Sequence, residues 1–386
     1  NDKRKPGMGP GVRSGYLVPM RTGSAALFPA MIFAILACGD GAGPTARSRS
    51  FLMGFTDFPS GRTQAAVDDA YRILRDDADL VVYHFDDGVP WQEAAAGAPY
   101  DPVLQARIDY QVAHRPTGHS LLLDLTPIDF FRSGLALHLG ASAREPLTPP
   151  WDTLEFGDSL VIRAYTAHCE RMIQTYHPDY FAYGIEVNML AHFAPAKWPG
   201  FLALAESVYT TLRRNHPTLP VFTTIQLESL YGDLTNNGPA VLAALRWSDI
   251  LAVSSYSYSL PVAPGDLPSS YFTGLAAIAG GKPFAISETG WPAEPVTSPY
   301  PIVIPASPAD QDAYVRRLLG DLDTMHGVFI NWFVSRDYDS LWVSDLQNSP
   351  DAALVRVWRD DGLYAGDGTP RPALQTWRGY LARPGP

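Results

Sequence analysis

The feature that most constrains the fold is a regular alternation of short apolar runs with segments whose apolar residues recur at helical spacing. Strands are predicted at 51–58, 79–86, 119–127, 180–188, 220–227, 249–258, 283–288 and 327–335. Helices are predicted at 62–78, 101–114, 158–176, 200–215, 238–245, 269–279, 308–325 and 351–362. The strand runs are almost continuously apolar, as expected for strands buried on both faces. This order predicts parallel βαβ units.

Eight such units predict an α/β protein with a single (β/α)8 TIM barrel, spanning residues 51–386. A doubly wound open sheet is the alternative, but the stretch after the first strand, GFTDFPSG, has no Gly-rich phosphate loop. In a barrel, functional residues lie at the C-terminal ends of the strands and in the loops that follow them. Site residues are therefore expected at those positions.

The first 50 residues have a different composition from the barrel. Residues 1–19 are interpreted as a disordered or non-native leader, 20–38 as a signal peptide with a lipobox, and 39–50 as a linker. The apolar run is too short for a membrane span and ends in Ile-Leu-Ala-Cys, which predicts lipidation of Cys38. The alternatives are a cleaved secretory signal and an N-terminal hydrophobic anchor. We expect an exported protein, either a periplasmic or cell-surface bacterial lipoprotein or a secreted one.

Charge and cysteine content limit the possible partners. The net charge is −11 with no basic run, which argues against nucleic-acid binding. Membrane contact is expected only through the lipid anchor, and the protein is expected to be a monomer. Of the two cysteines, Cys38 is assigned to lipid and Cys169 to a buried helix position, so no disulfide is predicted.

Two carboxylates stand at predicted strand ends. Glu186 closes strand four in YGIEVN, and Glu288 closes strand seven in AISETGWP. Strands four and seven lie across the mouth of a barrel from each other, so both side chains can face one cleft. A pair of carboxylates on either side of one bond is what glycoside hydrolysis requires.

The segment SETGWP resembles the nucleophile segment of the β-1,3-glucanase-like branch of the clan A glycoside hydrolases, and is similar to that of the endo-β-1,4-galactanases. The stretch at 362–380, GLYAGDGTPRPALQTWRGY, resembles a C-terminal segment common in the clan. The resemblance implies a cofactor-free retaining enzyme that acts on a β-linked poly- or oligosaccharide through a covalent glycosyl-enzyme. It implies that Glu186 is the acid/base and Glu288 the nucleophile.

One position departs from the clan pattern. The clan usually has Asn directly before the acid/base Glu, where it bonds the sugar 2-hydroxyl, but here the residue is Ile185. Asn188, two residues beyond Glu186, would point the same way along a strand and is the expected substitute.

Other strand-end residues are candidates for binding sugar. Tyr256 is expected to hydrogen-bond Glu288, and Trp332 resembles the aromatic floor under the reacting sugar. His84 and Asp124 are expected to bond hydroxyls, and Trp291 to stack on a sugar face. For each of them, the structural alternative is a role in core or rim packing.

Two other functions remain open at this point. A sugar-binding lipoprotein could keep the barrel without the chemistry, and Ile185 favours this reading. A metal-dependent barrel hydrolase could use Asp57, His84, Asp86 and Asp124, but there is no His-x-His pair and the ligand count is poor. We expect no metal.

Overall fold

The computed structural model describes residues 48–232, 234–260, 262–297, 303–349 and 351–386. Its strands are β1 Leu52–Thr56, β2 Leu80–Phe85, β3 Ser120–Leu125, β4 Tyr180–Ala182, β5 Val221–Phe222, β6 Thr224–Gln226, β7 Leu251–Ser255, β8 Phe284–Thr289, β9 Val296–Thr297, β10 Val303–Ile304 and β11 Phe329–Trp332. Its α-helices are α1 Gln64–Asp77, α2 Trp91–Ala96, α3 Pro102–His114, α4 Ser159–Tyr176, α5 Asn188–Phe193, α6 Trp198–Asn215, α7 Leu227–Gly232, α8 Leu234–Ala244, α9 Ala276–Ala279, α10 Pro308–Met325, α11 Asp339–Ser344, α12 Ala352–Val355 and α13 Pro372–Leu381.

The main sheet is parallel and runs in the order β5-β4-β3-β2-β1-β11-β8-β7-β6. The two ends of this order, β5 and β6, are consecutive pieces of chain separated only by Thr223. Together they form the fifth strand of the barrel, so the order describes a closed ring of eight strands. The predicted (β/α)8 barrel is confirmed. β9 and β10 form a separate antiparallel pair in the loop after β8.

Two apolar layers hold the barrel. The inner layer fills the barrel and consists of the buried residues Leu80, Val82, Leu122, Ala182, Phe222, Ile250, Ala252, Ala285 and Phe329. The outer layer is much larger and joins the opposite faces of the same strands to the surrounding helices, as with Phe55 against Trp377 of α13, whose ring centroids lie 5.0 Å apart. Strands buried on both faces account for the continuous apolar runs in the sequence.

Local signals start several helices where the sequence predicts them. The Thr63 hydroxyl accepts a hydrogen bond from the N–H of Ala66 and caps α1. Asp101 caps α3 in the same way, with Pro102 at its first position. Ser307 caps α10 by accepting from the N–H of Asp310.

Two predicted helices are much shorter in the structure. The segment predicted helical at 269–279 contains only a 3₁₀ turn at 273–275 and the single turn of α9. The segment predicted at 351–362 contains α12 and a 3₁₀ turn at 356–358, and the helix that closes the barrel is α13. Apolar spacing over eleven or twelve residues does not distinguish a helix from a broken loop packed against an apolar surface.

The leader, the signal peptide and Cys38 lie outside the described residues, as does most of the predicted linker. Within the described part of the chain, no helix is both long enough and apolar enough to cross a membrane.

Gly54 gives a test of how tightly the barrel is packed. A Cβ at this position would lie 2.5 Å from the carbonyl oxygen of Leu80 and 2.9 Å from its Cβ, so strands β1 and β2 would have to separate. We expect Gly54→Ala to lower the free energy of unfolding by about 2–3 kcal/mol, measured by chemical denaturation. The control is Gly379→Ala in α13, where the added methyl meets open space and stability should stay the same or rise by up to about 1 kcal/mol. Equal stabilities of the two variants would contradict this account.

Candidate active site

Glu288 is turned towards the barrel mouth by a β-bulge in β8. Towards β7, the consecutive residues Val253 and Ser254 pair with Ile286 and Glu288, which are two positions apart. Towards β11, Ile330 and Trp332 are two positions apart, but their partners Ile286 and Thr289 are three apart. Ser287 is therefore an extra residue relative to both neighbouring strands. Side chains alternate between the faces of a strand, and one extra residue inverts the alternation. Ala285 lies in the inner layer, and because of the bulge Glu288 also faces the cavity at the barrel mouth.

Glu186 reaches the same cavity from the end of the fourth strand. β4 ends at Ala182, and the chain bends through 183–187 before α5 begins. Glu186 has a φ of 49°, in the left-handed region that side chains rarely adopt, and its N–H donates to Thr224 Oγ1 at 2.9 Å. Such strain is concentrated at functional sites, and here it presents the carboxylate to the cavity.

Arg132 ties Glu186 to the second strand. Its guanidinium makes two 2.9 Å hydrogen bonds to the Asp86 carboxylate and a third, of 3.1 Å, to Glu186 Oε2. The side chain is 8% exposed. Although burial alone would lower it, the carboxylates of Asp86 and Glu186 raise the pKa of Arg132. A permanent positive charge therefore lies beside the two glutamates.

Glu288 is held by two further groups. The Tyr256 hydroxyl donates to Glu288 Oε2 at 3.0 Å, as predicted. His84 Nε2 lies 3.8 Å from Glu288 Oε1, and His84 Nδ1 lies 3.5 Å from Asp124 Oδ2. The histidine is thus placed between two carboxylates.

The charges of this group are strongly coupled. Burial raises the pKa of Glu288 to about 8, and the Glu186 charge adds to the rise, while His84, Arg132 and Tyr256 oppose it. For His84, burial alone would lower the pKa, but the Glu288 charge and the bond to Asp124 raise it to about 9. Protonated His84 and ionised Glu288 therefore stabilise each other.

These groups lie at the base of a cavity of about 860 Å³. We call the base the polar floor: His84, Asp86, Arg132, Glu186, Tyr256 and Glu288. Next to it stands what we call the apolar wall: Phe58, Phe333, Tyr338, Leu341, Leu346 and Trp358. Phe333 joins the two, because its ring packs edge-on against His84 at 5.3 Å and beside Trp358 at 5.4 Å between centroids.

Asn188 does not face the cavity, so its predicted role beside Glu186 is wrong. It is fully buried, and its amide bonds the backbone of Gln226 in both directions, at 2.9 Å to the carbonyl and 2.8 Å from the N–H. The prediction assumed that strand four continues to residue 188. The strand ends six residues earlier, and Asn188 is instead the first residue of α5.

Trp332 is also displaced from its predicted place. It is fully buried in the outer layer, and its indole N–H donates to the carbonyl of Asp361 at 2.9 Å. The aromatic residue that lines the cavity is the next one, Phe333. The prediction was wrong by one residue, which along a strand means the opposite face.

Trp291 and Asp124 act behind the site. Trp291 is 3% exposed and packs against Tyr314 at 5.1 Å, so the predicted stacking on sugar is wrong. Gly290 before it lies against the Asp361 carboxylate, which leaves no room for a Cβ. Asp124 is 1% exposed and contacts His84, so it orients the histidine and does not bond a ligand directly.

Sequence reasoning missed Arg132 and Phe333. Arg132 lies in the long loop after β3, and the only signal was one arginine within the largely apolar stretch IDFFRSGLAL. Ile185 is fully buried, so position 185 presents no group to the cavity. Among the described residues, no three His, Cys, Asp or Glu side chains are arranged to hold a metal ion.

Comparison with known proteins shows the fold. No family model matches the chain, and no curated protein matches it. Solved structures do. An exo-β-1,4-mannosidase from Opitutaceae bacterium strain TAV5 aligns over 88% of this chain with a TM-score of 0.60 and 15% identity. This chain spans 60% of that protein's own length.

Two further structures align over most of both chains. A GH5_18 protein from Streptomyces cattleya, in complex with GlcNAc, has a TM-score of 0.59 and 17% identity and covers 88% of this chain and 83% of its own. A family 17 β-1,3-glucanosyltransferase from Rhizomucor miehei has a TM-score of 0.51 and 14% identity, with coverage of 85% and 97%. All three structures are less than 25% identical to this chain, and they support its fold.

The raised pKa of Glu288 predicts a pH-dependent gain in stability when the charge is removed. An acid whose folded pKa exceeds its unfolded value destabilises the folded state as pH rises between the two, here from 4.5 to about 8. The raised pKa of His84 adds to this trend, since its stabilising charge is lost as pH rises towards about 9. At pH 7, Glu288→Gln should therefore have a higher melting temperature than the parent protein, and its free energy of unfolding should be larger by up to about 3 kcal/mol. Near pH 4.5 the two proteins should be equally stable.

The measurement is thermal unfolding of both proteins across pH 4.5–8. The control is Glu206→Gln on the exposed surface of α6, which should give no difference that grows with pH. A Glu288→Gln protein that is less stable than the parent at every pH would contradict the assignment.

Proposed function

We propose that this protein is a retaining glycoside hydrolase that cleaves a β-linked poly- or oligosaccharide through a covalent glycosyl-enzyme. The observation that carries the proposal is that Glu186 and Glu288, from the fourth and seventh strands of the barrel, face one cavity and are each fixed by hydrogen bonds. This reaction requires two carboxyl groups, one on either side of the glycosidic bond.

In the first step, ionised Glu288 attacks the anomeric carbon while Glu186 donates its proton to the leaving oxygen. The bond between the sugar and the leaving oxygen breaks as the bond to Glu288 forms. His84, Arg132 and Tyr256 all favour the ionised form of Glu288. They therefore oppose the rise in pKa that burial causes and help to keep the nucleophile ionised. Tyr256 also fixes the carboxylate so that one oxygen, Oε1, stays free of its hydroxyl.

In the second step, Glu186 takes a proton from water, and the water oxygen displaces Glu288 from the anomeric carbon. The sugar is released with its original stereochemistry, and both carboxyl groups return to their starting forms. Arg132 remains bound to Glu186 and Asp86 and keeps the acid/base carboxyl in position while its charge changes.

The sugar is proposed only by class. The three structures described above are named for an exo-β-1,4-mannosidase, for a GH5_18 complex with GlcNAc and for a β-1,3-glucanosyltransferase. Two of these names specify β-linked substrates, which supports a β-linked substrate here.

A sugar-binding protein without chemistry is the second candidate. Ile185 supports it, since the side chain that the clan uses at this position is absent and the isoleucine is buried. Retention of both glutamates in one cavity favours the enzyme, and the first experiment below separates the two functions.

We propose that export and lipidation at Cys38 bring the barrel to a membrane or cell surface. The support is the sequence Ile-Leu-Ala-Cys after an apolar run, at residues outside those that the structure describes.

The roles of the two glutamates are separable with azide. The parent protein should release reducing ends from one of a panel of β-glucan, galactan and mannan, and hydrolyse the matching 2,4-dinitrophenyl β-glycoside. Glu288→Ala and Glu186→Ala should each lower kcat on the polysaccharide at least about a thousandfold. On the aryl glycoside, azide should rescue Glu288→Ala with an α-glycosyl azide product and Glu186→Ala with a β-glycosyl azide, identified by NMR.

The control is Glu294→Ala, because Glu294 is in the loop after β8 and is 56% exposed outside the cavity. Its activity should stay within about twofold of the parent. Polysaccharide binding without cleavage by the parent protein would favour the second candidate. Full activity of Glu288→Ala would refute the proposed nucleophile.

The coupling between His84 and Glu288 predicts a shift in the pH profile. Activity needs ionised Glu288, so kcat/KM should fall on the acid side with a pKa near 8 in the free enzyme. His84→Gln removes a cation that lowers the pKa of Glu288, so this acid limb should move to higher pH. The control is the exposed His114, where Gln should leave the limb unchanged. An unmoved or lowered limb in His84→Gln would contradict the coupling.

A further inference from the structure

The apolar wall is unusual for a cavity that holds only sugar. It belongs to a third hydrophobic cluster, in which Phe58, Leu341, Leu346 and Trp358 pack against the buried residues Phe333, Val334 and Tyr338 that follow β11. Trp358 also packs against the outer layer of the barrel. Leu341 and Leu346 are only half-buried and face the cavity. Val355, Val357 and Ile304 are further aliphatic residues that line the cavity.

The composition of this surface indicates what it binds. Sugars are held by hydrogen bonds to their hydroxyls and by flat aromatic rings against their C–H faces. Leucine, valine and isoleucine side chains offer neither, and water on them is displaced most favourably by another apolar group. Outside the floor, the charged side chains that line the cavity are those of Arg62, Asp87, Arg107 and Arg144. Each is already in an ion pair: Arg107 with Asp87, Arg62 with Asp345 and Arg144 with Asp351.

The cavity is also larger than one sugar unit requires. Its volume of about 860 Å³ is near the upper end of the roughly 300–1,000 Å³ range of pockets that enclose drug-sized ligands. A sugar ring placed on the polar floor leaves the space beside the apolar wall unfilled.

We infer that the substrate is a β-glycoside with an extended apolar aglycone, the group released from the sugar, and that the apolar wall is the site that binds it. This inference rests on the proposed function, because it places the sugar on the polar floor. The wall is continuous with the floor through Phe333, whose ring contacts His84 on one side and Trp358 on the other. A chain bound at the wall therefore begins where the leaving oxygen lies.

The rival occupant is a longer oligosaccharide. The rings of Phe58, Tyr338 and Trp358 would suit it, but it would bury hydroxyl groups against Leu341 and Leu346 with no hydrogen-bond partner from those side chains. An alkyl or lipid chain meets no such penalty. The aliphatic part of the wall therefore favours the apolar aglycone.

Calorimetry on the Glu288→Gln protein tests the inference without turnover. The probes are the methyl and n-octyl β-glycosides of glucose, galactose, mannose and glucuronic acid, each below its critical micelle concentration. Each buried methylene strengthens binding roughly fourfold, and burial of about three of the seven added methylenes gives on the order of 50-fold tighter binding of the octyl compound. A cello- or laminari-tetraose probe measures the rival occupant.

The variant is Leu341→Asn, made in the same background. It should weaken octyl glycosides about tenfold and leave methyl glycosides unchanged. Leu346→Asn, in the next turn of the wall, is the second variant in case the first does not fold. The matched control is Val343→Asn on the same helix, α11, because Val343 is 67% exposed and does not line the cavity. It should bind all probes like its parent.

Equal affinity for methyl and octyl glycosides would overturn the inference, as would a tetrasaccharide that binds tighter than the octyl compounds and is weakened by Leu341→Asn. The two proposals fail separately. Tight octyl binding by a protein that hydrolyses no glycoside would refute the enzyme and retain the apolar site. Hydrolysis with no preference for octyl over methyl glycosides would retain the enzyme and refute the apolar site.

Discussion

The structure depends on the burial of one carboxyl group at the end of a strand. Glu288 is 5% exposed, and removing it from water is costly enough to raise its pKa by several units. His84, Arg132 and Tyr256 compensate for this cost, and each comes from a different strand or loop. Asp124, Asp86 and Glu186 in turn hold those groups. The mouth of the barrel is thus one connected network with the carboxyl group at its centre.

The network lines only part of the cavity. On the floor, every side chain except that of Tyr256 is acidic or basic, whereas Leu341, Leu346, Val355 and Val357 elsewhere in the lining carry no charge. A single small sugar would satisfy the floor and leave the wall exposed to water. The two surfaces together are best matched by a molecule that is polar at one end and apolar at the other, which is the physical basis for an amphiphilic substrate.

The sequence was sufficient to predict the barrel, the places of Glu186 and Glu288, and the bond from Tyr256, because these follow from the order of apolar runs and the position of each run's end. It was insufficient at Asn188 and Trp332. Both errors arise from backbone geometry that leaves no pattern: β4 ends early, and Trp332 lies on the helix-facing side of β11. Arg132 was missed because a long loop brings it to the strands, and loop paths are not encoded in periodicity.

The bulge at Ser287 has a consequence for how such a barrel changes in evolution. Regular pairing of β8 with both neighbours would need one residue fewer. Deletion of Ser287 would restore that regularity and leave Glu288 directly after Ile286 and still opposite Ser254, so the carboxylate would continue to face the cavity. The bulge thus lets the strand carry one extra residue without turning the carboxylate into the helix layer, so a one-codon insertion or deletion at this point preserves the direction of the site residue.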